Sequence, residues 1–313
     1  MAALELTTVS DDEVVAFAGT AVHRWDGLAP GTEHHLGGLT ARTLDRPPGE
    51  RLATVATMND VHFGETACGV VEGTDIGPVL RSEPGEEPYP QLMNEAAVAE
   101  YEAFLACYAP FGDRLHHVRG NHDGYHGGTF AATPTQEVVL PGVVLAVLDT
   151  TRPGAASGQV TADQLDWLDE LGARADRPVL VFGHHHPWDP GSRNRPASYF
   201  GIGPDDSERL VEVVARRPSL VGWFAGHTHR NRVRRFHATG EVPWAEVSAV
   251  KDFPGVWAEY RVFEGGVLQV VRRIADPAAL AWTERTRGMY EGGYAAYSFG
   301  ALSDRCFPVP ARA

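Results

Sequence analysis

Several kinds of residue or segment are scarce in this chain, and each shortage narrows what the protein can be. The 313 residues include only three cysteines, Cys68, Cys107 and Cys306, which have no close spacing. An odd number of widely separated cysteines predicts neither a disulfide framework nor a thiolate zinc site. No apolar run is long enough to span a bilayer, and the N-terminus has no basic segment followed by an apolar core. We therefore expect a soluble cytoplasmic protein that is neither exported nor bound to a membrane.

Positive charge is also scarce. Lys251 is the only lysine, and 27 basic residues face 41 acidic ones, which gives a formal net charge of −14. Such a charge disfavours non-specific attraction to nucleic acid or to an anionic membrane surface. The sequence therefore predicts a small-molecule partner and argues against a nuclease. The arginine-rich segment 230–235 is interpreted either as a rim that phosphate approaches or as a solvated strand edge.

The residues that are abundant predict a globular α/β fold. The chain is 43% hydrophobic and long enough to bury a sizeable core. Short runs rich in Val and Leu are typical of buried strands. These runs cover residues 52–58, 115–120, 143–150, 178–183 and 220–226. Helical patterns occur at 161–175, where Thr161 and Gln164 have capping-box spacing, and at 207–217.

The sequence pattern changes after about residue 232. Short predicted strands joined by turns there favour an antiparallel second half. Residues 64–90 read as a long irregular loop, a feature that is often functional. We predict one domain with three parts. These are an N-terminal β extension (1–50), a catalytic core (51–275) and a C-terminal tail that packs on the core (276–313).

Metal-capable residues follow four of the predicted strands. The clusters are Asn59–His62, Asn121–Asp123, His184–His186 and His227–His229. The carboxyl ends of strands form the ligand crevice in open α/β sheets, so these segments can converge although they are far apart in sequence. Imidazole, carboxylate and amide ligands together suit Zn, Mn or Fe better than Ca or Mg.

Other histidines lie outside this pattern. The doublets His34–His35 and His116–His117 are interpreted as surface or structural residues, because most polar side chains are exposed or simply hydrogen-bonded. His126 lies close to the second cluster, and the sequence leaves its role open between structure and function.

The clusters resemble the motifs of the calcineurin-like metallophosphoesterases. The matching residues are Asp60-x-His62, Gly120-Asn121-His122-Asp123, His185-x-Pro187 and Gly226-His227-x-His229. They are most similar to the branch that contains class III cyclic-nucleotide and glycerophosphodiester phosphodiesterases. The resemblance implies a four-layer α/β/β/α sandwich with mixed sheets.

The resemblance also implies a role for each matching residue. Asp60, His62 and His229 would bind the first metal, and Asn121, His185 and His227 the second. His185 is preferred to His184 because it stands two residues before Pro187. His122 would be the general acid, and Asp123 would orient it and favour its charged form. Two transition-metal ions (Mn, Fe or Zn) would activate a bridging water to attack a phosphodiester.

One motif of that family is missing. A Gly-Asp pair whose carboxylate bridges both metals normally follows a strand between the first and second motifs. The only such pair here is Gly112-Asp113, which precedes the strand predicted at 115–120 and is interpreted as a turn. Two helix halves meet at Glu100 and Tyr101, as if one strand-loop unit had been lost in frame.

The missing carboxylate leaves two functions open. The first is a metal-dependent phosphodiesterase, acting for instance on a cyclic nucleotide or a glycerophosphodiester, with impaired or compensated metal binding. The second is a weak or inactive relative that binds one metal or a phosphate ligand. Glu95 or Glu100 is the available substitute for the missing carboxylate, but a helix face is a poor replacement for a strand end.

Overall fold

The computed structural model describes residues 3–62, 70–71, 74–75, 101–124 and 133–310. The strands of these ranges, in chain order, are β1 Glu5–Val9, β2 Glu13–Ala18, β3 Ala21–Asp26, β4 Glu33–Leu36, β5 Leu39–Arg42, β6 Arg51–Thr57, β7 Val70–Val71, β8 Thr74–Asp75, β9 Thr135–Leu140, β10 Val143–Leu148, β11 Val179–Gly183, β12 Leu220–Ala225, β13 Arg232–Arg235, β14 Pro243–Glu246, β15 Val256–Phe263, β16 Gly266–Arg273 and β17 Cys306–Val309.

Helices occupy a smaller part of the described chain. They are α1 (residues 101–108), α2 Asn121–Gly124, α3 Ala162–Arg174, α4 Pro204–Arg216, α5 Pro277–Glu284, α6 Gly293–Phe299 and α7 Leu302–Arg305. Thr161 and Gln164 form the predicted capping box at the start of α3. Helix α4 begins earlier than predicted because Pro204, whose fixed φ suits the first turn of a helix, opens it.

A six-stranded mixed sheet in the order β13-β14-β12-β11-β10-β9 carries most of the predicted strands. Its central strands β10, β11 and β12 run parallel, and β9 and β13 close its edges in antiparallel pairs. Every residue of β10 and β12 is buried. The continuous apolar runs at 143–150 and 220–226 arise because both faces of these strands are covered.

A four-stranded sheet in the order β17-β16-β15-β6 packs against the six-stranded sheet. Alternate residues of β15, including Ala258, Tyr260 and Val262, share one buried cluster with Leu145 and Phe224 of the larger sheet. The opposite face of the larger sheet packs on α3 and α4. The four-layer α/β/β/α sandwich expected from the sequence is confirmed as an α/β sandwich with mixed sheets.

The outer face of the four-stranded sheet is covered by the N-terminal strands together with α5 and α7. Charged residues are buried between β15 and the turn that joins β1 to β2. Arg261 donates to Asp11 (2.6 Å) and to Asp12 (2.7 Å), and its Nε lies 3.2 Å from Glu259. These pairs anchor the N-terminal extension because unpaired charges would be costly at this depth.

The prediction of a strand at residues 115–120 is wrong. These residues form neither strand nor helix, and β6 is left at the edge of its sheet among the described strands. Leu52 is 37% exposed and Met58, just past the end of β6, is 43% exposed, so the segment 52–58 is not the buried strand that its sequence suggests.

Cys107 and Cys306 are free thiols, and Cys68 lies outside the described residues. Within the described ranges, no helix combines the length and apolar character that crossing a bilayer requires.

Candidate metal centre

The segments that follow β6, β11 and β12 meet at one end of the two sheets, together with the short helix α2. The backbone is strained at this end of the sheets. Among the described residues, six non-glycine residues have a positive φ, and four of them are predicted ligands: Asp60 (51°), His62 (45°), His227 (68°) and His229 (52°). Left-handed conformations of such residues cost free energy and cluster at functional sites.

Asp60, His62 and His229 form the first group of predicted ligands. Each offers one ligand atom, and these atoms lie within 4.8 Å of one another. Asp60 Oδ1 lies 3.3 Å from His229 Nε2, and the backbone N–H of His227 donates to Asp60 Oδ2 (2.9 Å). Burial opposes the charge on Asp60, but the surrounding histidines, His229 above all, outweigh it and hold the pKa of Asp60 well below its usual range.

Asp252 orients His229 from behind. The two side chains are 2.6 Å apart through His229 Nδ1, which leaves Nε2 directed at Asp60, and Tyr294 donates a hydrogen bond to Asp252 (3.3 Å). Burial disfavours a charged His229, but Asp60 and Asp252 together raise its pKa to about 10. A carboxylate behind a histidine ligand is a common feature of metal sites.

Asp252 was missed by the sequence reasoning. A signal for it exists, because Asp252 follows the segment PWAEVSAV (243–250), one of the short strands expected after residue 232, with only Lys251 between them. The rule that located the other clusters, metal-capable residues after a strand, applies here too.

His184, His185 and His227 form a second group whose ligand atoms also lie within 4.8 Å of one another. Asn121 joins it from the start of α2, and its Oδ1 is 2.9 Å from His184 Nε2 and 3.0 Å from His227 Nδ1. All six predicted ligands therefore come together. His184, which the sequence reasoning set aside in favour of His185, lies among them.

The surroundings of His185 indicate whether this group suits a metal ion. Its side chain is completely buried, its Nδ1 lies 2.8 Å from Thr150 Oγ1, and its Nε2 has no hydrogen-bond partner within the described part of the chain. A buried polar atom without a partner costs free energy unless something absent from the protein atoms satisfies it. Burial lowers the pKa of His185 and brings that of His227 to about 3, so both rings are neutral, as metal ligation requires. The residues fit a divalent metal.

His122 and Asp123 lie beside the first group. The rings of His122 and His62 are 4.5 Å apart between centroids, and Asp123 accepts a hydrogen bond from the Gly120 backbone N–H (2.7 Å). Burial, with His62 and Lys251 acting in the same sense, lowers the pKa of His122 to about 3. The protein groups around His122 therefore do not produce the expected bias toward its charged form.

Other residues singled out in the sequence lie elsewhere. Asp113 is exposed in a short 3₁₀ segment, Ala109–Arg114, and belongs to neither ligand group. His35, His116 and His117 are exposed and His34 is partly exposed, as their surface interpretation predicts. Glu95, Glu100, His126 and most of the loop 64–90 lie outside the described residues.

Of the four arginines after His229, Arg232 and Arg235 are exposed, whereas Arg230 and Arg234 contact a buried carboxylate. Arg230 and Arg234 lie 3.0 Å and 3.7 Å from Glu246, which is fully buried and also accepts a hydrogen bond from Thr228 (2.8 Å). These two residues are therefore neither an exposed phosphate rim nor a solvated edge. Because Thr228 stands between His227 and His229, the buried Glu246 fixes the backbone that carries both.

The segment 187–204 reaches the second group. The Phe200 ring stacks on His227 at 4.0 Å between centroids, and the Phe200 carbonyl oxygen lies 3.0 Å from His227 Nε2. A cavity of about 500 Å³ opens next to it, lined by residues of this segment and by residues 156–159. An organic group of a substrate has room here.

Known proteins resemble this chain in sequence. The calcineurin-like phosphoesterase family matches it over residues 85–231. The glycerophosphodiester phosphodiesterase GpdQ of Enterobacter lignolyticus (strain SCF1) is 36% identical over 86 residues, which are 27% of this chain and 30% of that protein. A probable cyclic nucleotide phosphodiesterase of Synechococcus sp. (strain ATCC 27144 / PCC 6301 / SAUG 1402/1) is 27% identical over 146 residues, 44% of this chain and 55% of that protein.

The 3',5'-cyclic adenosine monophosphate phosphodiesterase CpdA of Pseudomonas aeruginosa is 26% identical over 208 residues, 61% of this chain and 74% of that protein. The chain thus spans less than two thirds of the first two of these three curated relatives. Among solved structures, a dimetal phosphatase from Danio rerio aligns with a TM-score of 0.45 at 16% identity, over 59% of this chain and 77% of that chain.

Proposed function

We propose that this chain, which the calcineurin-like phosphoesterase family matches over residues 85–231, hydrolyses small phosphodiesters with the help of bound divalent transition-metal ions (Mn, Fe or Zn). One observation carries the proposal. Six residues from four separated segments, chosen from the sequence alone, lie in two adjacent ligand groups. Asp60 touches both groups, because its Oδ1 is 3.3 Å from His229 Nε2 and 3.8 Å from His184 Nε2.

The relatives and the charge support this substrate class. Relatives are named for cyclic-nucleotide and glycerophosphodiester substrates, and both are small phosphodiesters. The net charge of −14 disfavours a polyanionic partner such as nucleic acid or an anionic membrane. Free thiols at Cys107 and Cys306 suit a reducing cytoplasm.

The residues of the site would have two roles, metal binding and proton transfer. Asp60, His62 and His229 would hold one ion, and Asn121, His185 and His227 the other. Bound ions of this kind polarise phosphoryl oxygens and lower the pKa of water. Asp252 fixes the ring of His229, and Thr150 fixes that of His185.

His122 would donate its proton to the leaving oxygen of the ester. Burial, with His62 and Lys251, lowers its pKa to about 3. A bound phosphodiester places a negative charge in the same pocket, and such a charge favours the protonated imidazole. His122 would therefore acquire its proton together with the substrate, and this proton would leave with the departing alcohol.

A second function is favoured by one observation. Asp113, the only Gly-Asp carboxylate between His62 and Asn121, is exposed and lies outside both ligand groups. A pair of dications without a bridging carboxylate repel each other more strongly. A relative that binds one metal or a phosphate ligand without turnover is therefore the alternative.

The test is metal-stimulated hydrolysis of bis(p-nitrophenyl) phosphate. We expect Mn²⁺ or Zn²⁺ to stimulate the reaction, a chelator to abolish it, and His122→Ala to reduce it by about 100-fold or more. His116→Ala is the matched control, because His116 is an exposed histidine outside the site, and it should leave the rate unchanged. A rise in Tm with metal but no hydrolysis above background would support the alternative. A panel of phosphomonoesters and diesters then identifies the substrate.

A further inference from the structure

His184 has no role in the family pattern, because the residue two positions before Pro187 is His185. In the structure, however, the His184 ring points toward the centre of the site. Its side chain is 12% exposed, and its Nε2 lies 2.9 Å from Asn121 Oδ1 and 3.8 Å from Asp60 Oδ1. One nitrogen thus faces predicted ligands of both groups.

The surroundings of His184 hold the ring there. Its backbone carbonyl accepts a hydrogen bond from the Gly226 N–H (3.0 Å), which ties the end of β11 to the end of β12. A Cβ at Gly120 would lie 3.0 Å from the ring, so the glycine keeps the space that the ring occupies. The ring centroids of His185 and His227 are 4.7 Å and 5.1 Å away.

A purely structural role for His184 does not account for the whole arrangement. Hydrogen bonding to Asn121 would satisfy the His184 ring, but Asn121 Oδ1 also faces His227 Nδ1 at 3.0 Å. His185 Nε2 lies in the same group and has no partner among the described residues. Two ring nitrogens face the Asn121 amide oxygen, and the third imidazole, His185, lies in the same group, so these residues form a donor set that a single cation satisfies.

We propose that His184 is a fourth protein ligand of the second metal, in compensation for the carboxylate that the missing Gly-Asp unit would have supplied. This inference rests on the proposed function. Three imidazoles and one amide oxygen complete a four-ligand set without a bridging anion. Imidazole ligands suit Zn²⁺ and Co²⁺, whereas carboxylates suit Mn²⁺. The second group therefore prefers Zn²⁺ or Co²⁺ to Mn²⁺.

The experiment measures metal binding, not turnover. The full chain is stripped of metal and titrated with Co²⁺, while visible absorption and elemental analysis report the coordination and the stoichiometry. Wild-type protein should bind two Co²⁺ per chain. His184→Ala should weaken one of the two sites by about 100-fold and change its absorption spectrum. His184→Asp, which returns a carboxylate to this position, should recover the second ion and shift its preference toward Mn²⁺.

The controls separate this inference from the proposed function. His116→Ala should bind both ions as the wild type does, and thermal unfolding of each metal-free variant shows whether it is folded. If folded His184→Ala or His184→Asp keeps both affinities and the wild-type spectrum, His184 is not a ligand, although the proposed function stands. If wild-type protein binds no ion at saturating Co²⁺, Zn²⁺ or Mn²⁺, the proposed function fails, and this inference fails with it.

Discussion

The first ligand group contains the carboxylate of Asp60 and is backed by Asp252, whereas the second consists of imidazoles and the Asn121 amide. The pKa of histidine is therefore shifted in opposite directions in the two groups. The pKa of His229 is raised to about 10 by the two carboxylates, and that of His227 is lowered to about 3 by burial and by its neighbour His184. Neighbouring carboxylates decide whether a buried histidine here is charged or neutral.

Removing Asp60 should have the largest effect, because it is the one carboxylate that lies near both groups in the described residues. We expect Asp60→Ala to lower metal affinity at both groups and to reduce hydrolysis by about 1,000-fold or more. Metal titration and steady-state kinetics check this. Asp113→Ala, which removes an exposed carboxylate, is the control; an equal loss in both variants would refute the role of Asp60.

The supporting residues should affect one group each. Asp252→Asn removes the charge behind His229, and Thr150→Val removes the partner of His185 Nδ1. Each should weaken metal binding about 10- to 100-fold at its own group and leave the other group nearly unchanged. Each variant is the control for the other in a Co²⁺ titration. If both variants weaken the same ion, the division into two groups is incorrect.

The pH dependence of metal binding should differ between the groups. His229 is protonated in the metal-free protein up to a pKa of about 10, so a metal must displace its proton. Between pH 7 and 9, affinity at the first group should rise about tenfold per pH unit. The second group, where His227 has a pKa of about 3, should show no such slope. Calorimetric titration in buffers of different ionisation heat counts the released protons; equal slopes at both groups would contradict this prediction.

The smallest expected effect is on the stability of the metal-free protein. His122 and His227 have pKa values of about 3, below that of an unfolded histidine, so protonation of the unfolded chain should lower the free energy of unfolding below pH 6.5. The loss is roughly 1 kcal/mol per histidine between pH 6.5 and 5.5. His229 acts in the opposite direction: its stabilisation is complete below pH 6.5 and is lost as the pH rises toward 10.

The losses of stability at low pH through His122 and His227, and at high pH through His229, together predict a maximum in the free energy of unfolding near pH 6.5. Urea denaturation of metal-stripped protein at pH 5.5, 6.5 and 9 measures it. A free energy of unfolding that is constant over this range would show that the histidines do not differ in pKa between the folded and unfolded chain.

The sequence by itself determined the parallel strands β10, β11 and β12, the helix capped by Thr161, and the six candidate ligands. These features depend on short-range patterns: apolar runs, capping spacing and metal-capable residues directly after strands. The clusters converge because carboxyl ends of strands meet at one end of the sheets. The absence of a Gly-Asp strand could also be read directly, since it concerns the order of motifs along the chain.

The tertiary structure alone decided which residues support the ligands and what state they are in. Residues 115–120 have an apolar pattern in the sequence but form no strand. The contacts of His184 with Asn121 and Asp60, and of His229 with Asp252, join residues that are 23 to 124 positions apart. The pKa values follow from these contacts and from burial, because the free energy of a charge depends on what surrounds it in space and not on its place in the sequence.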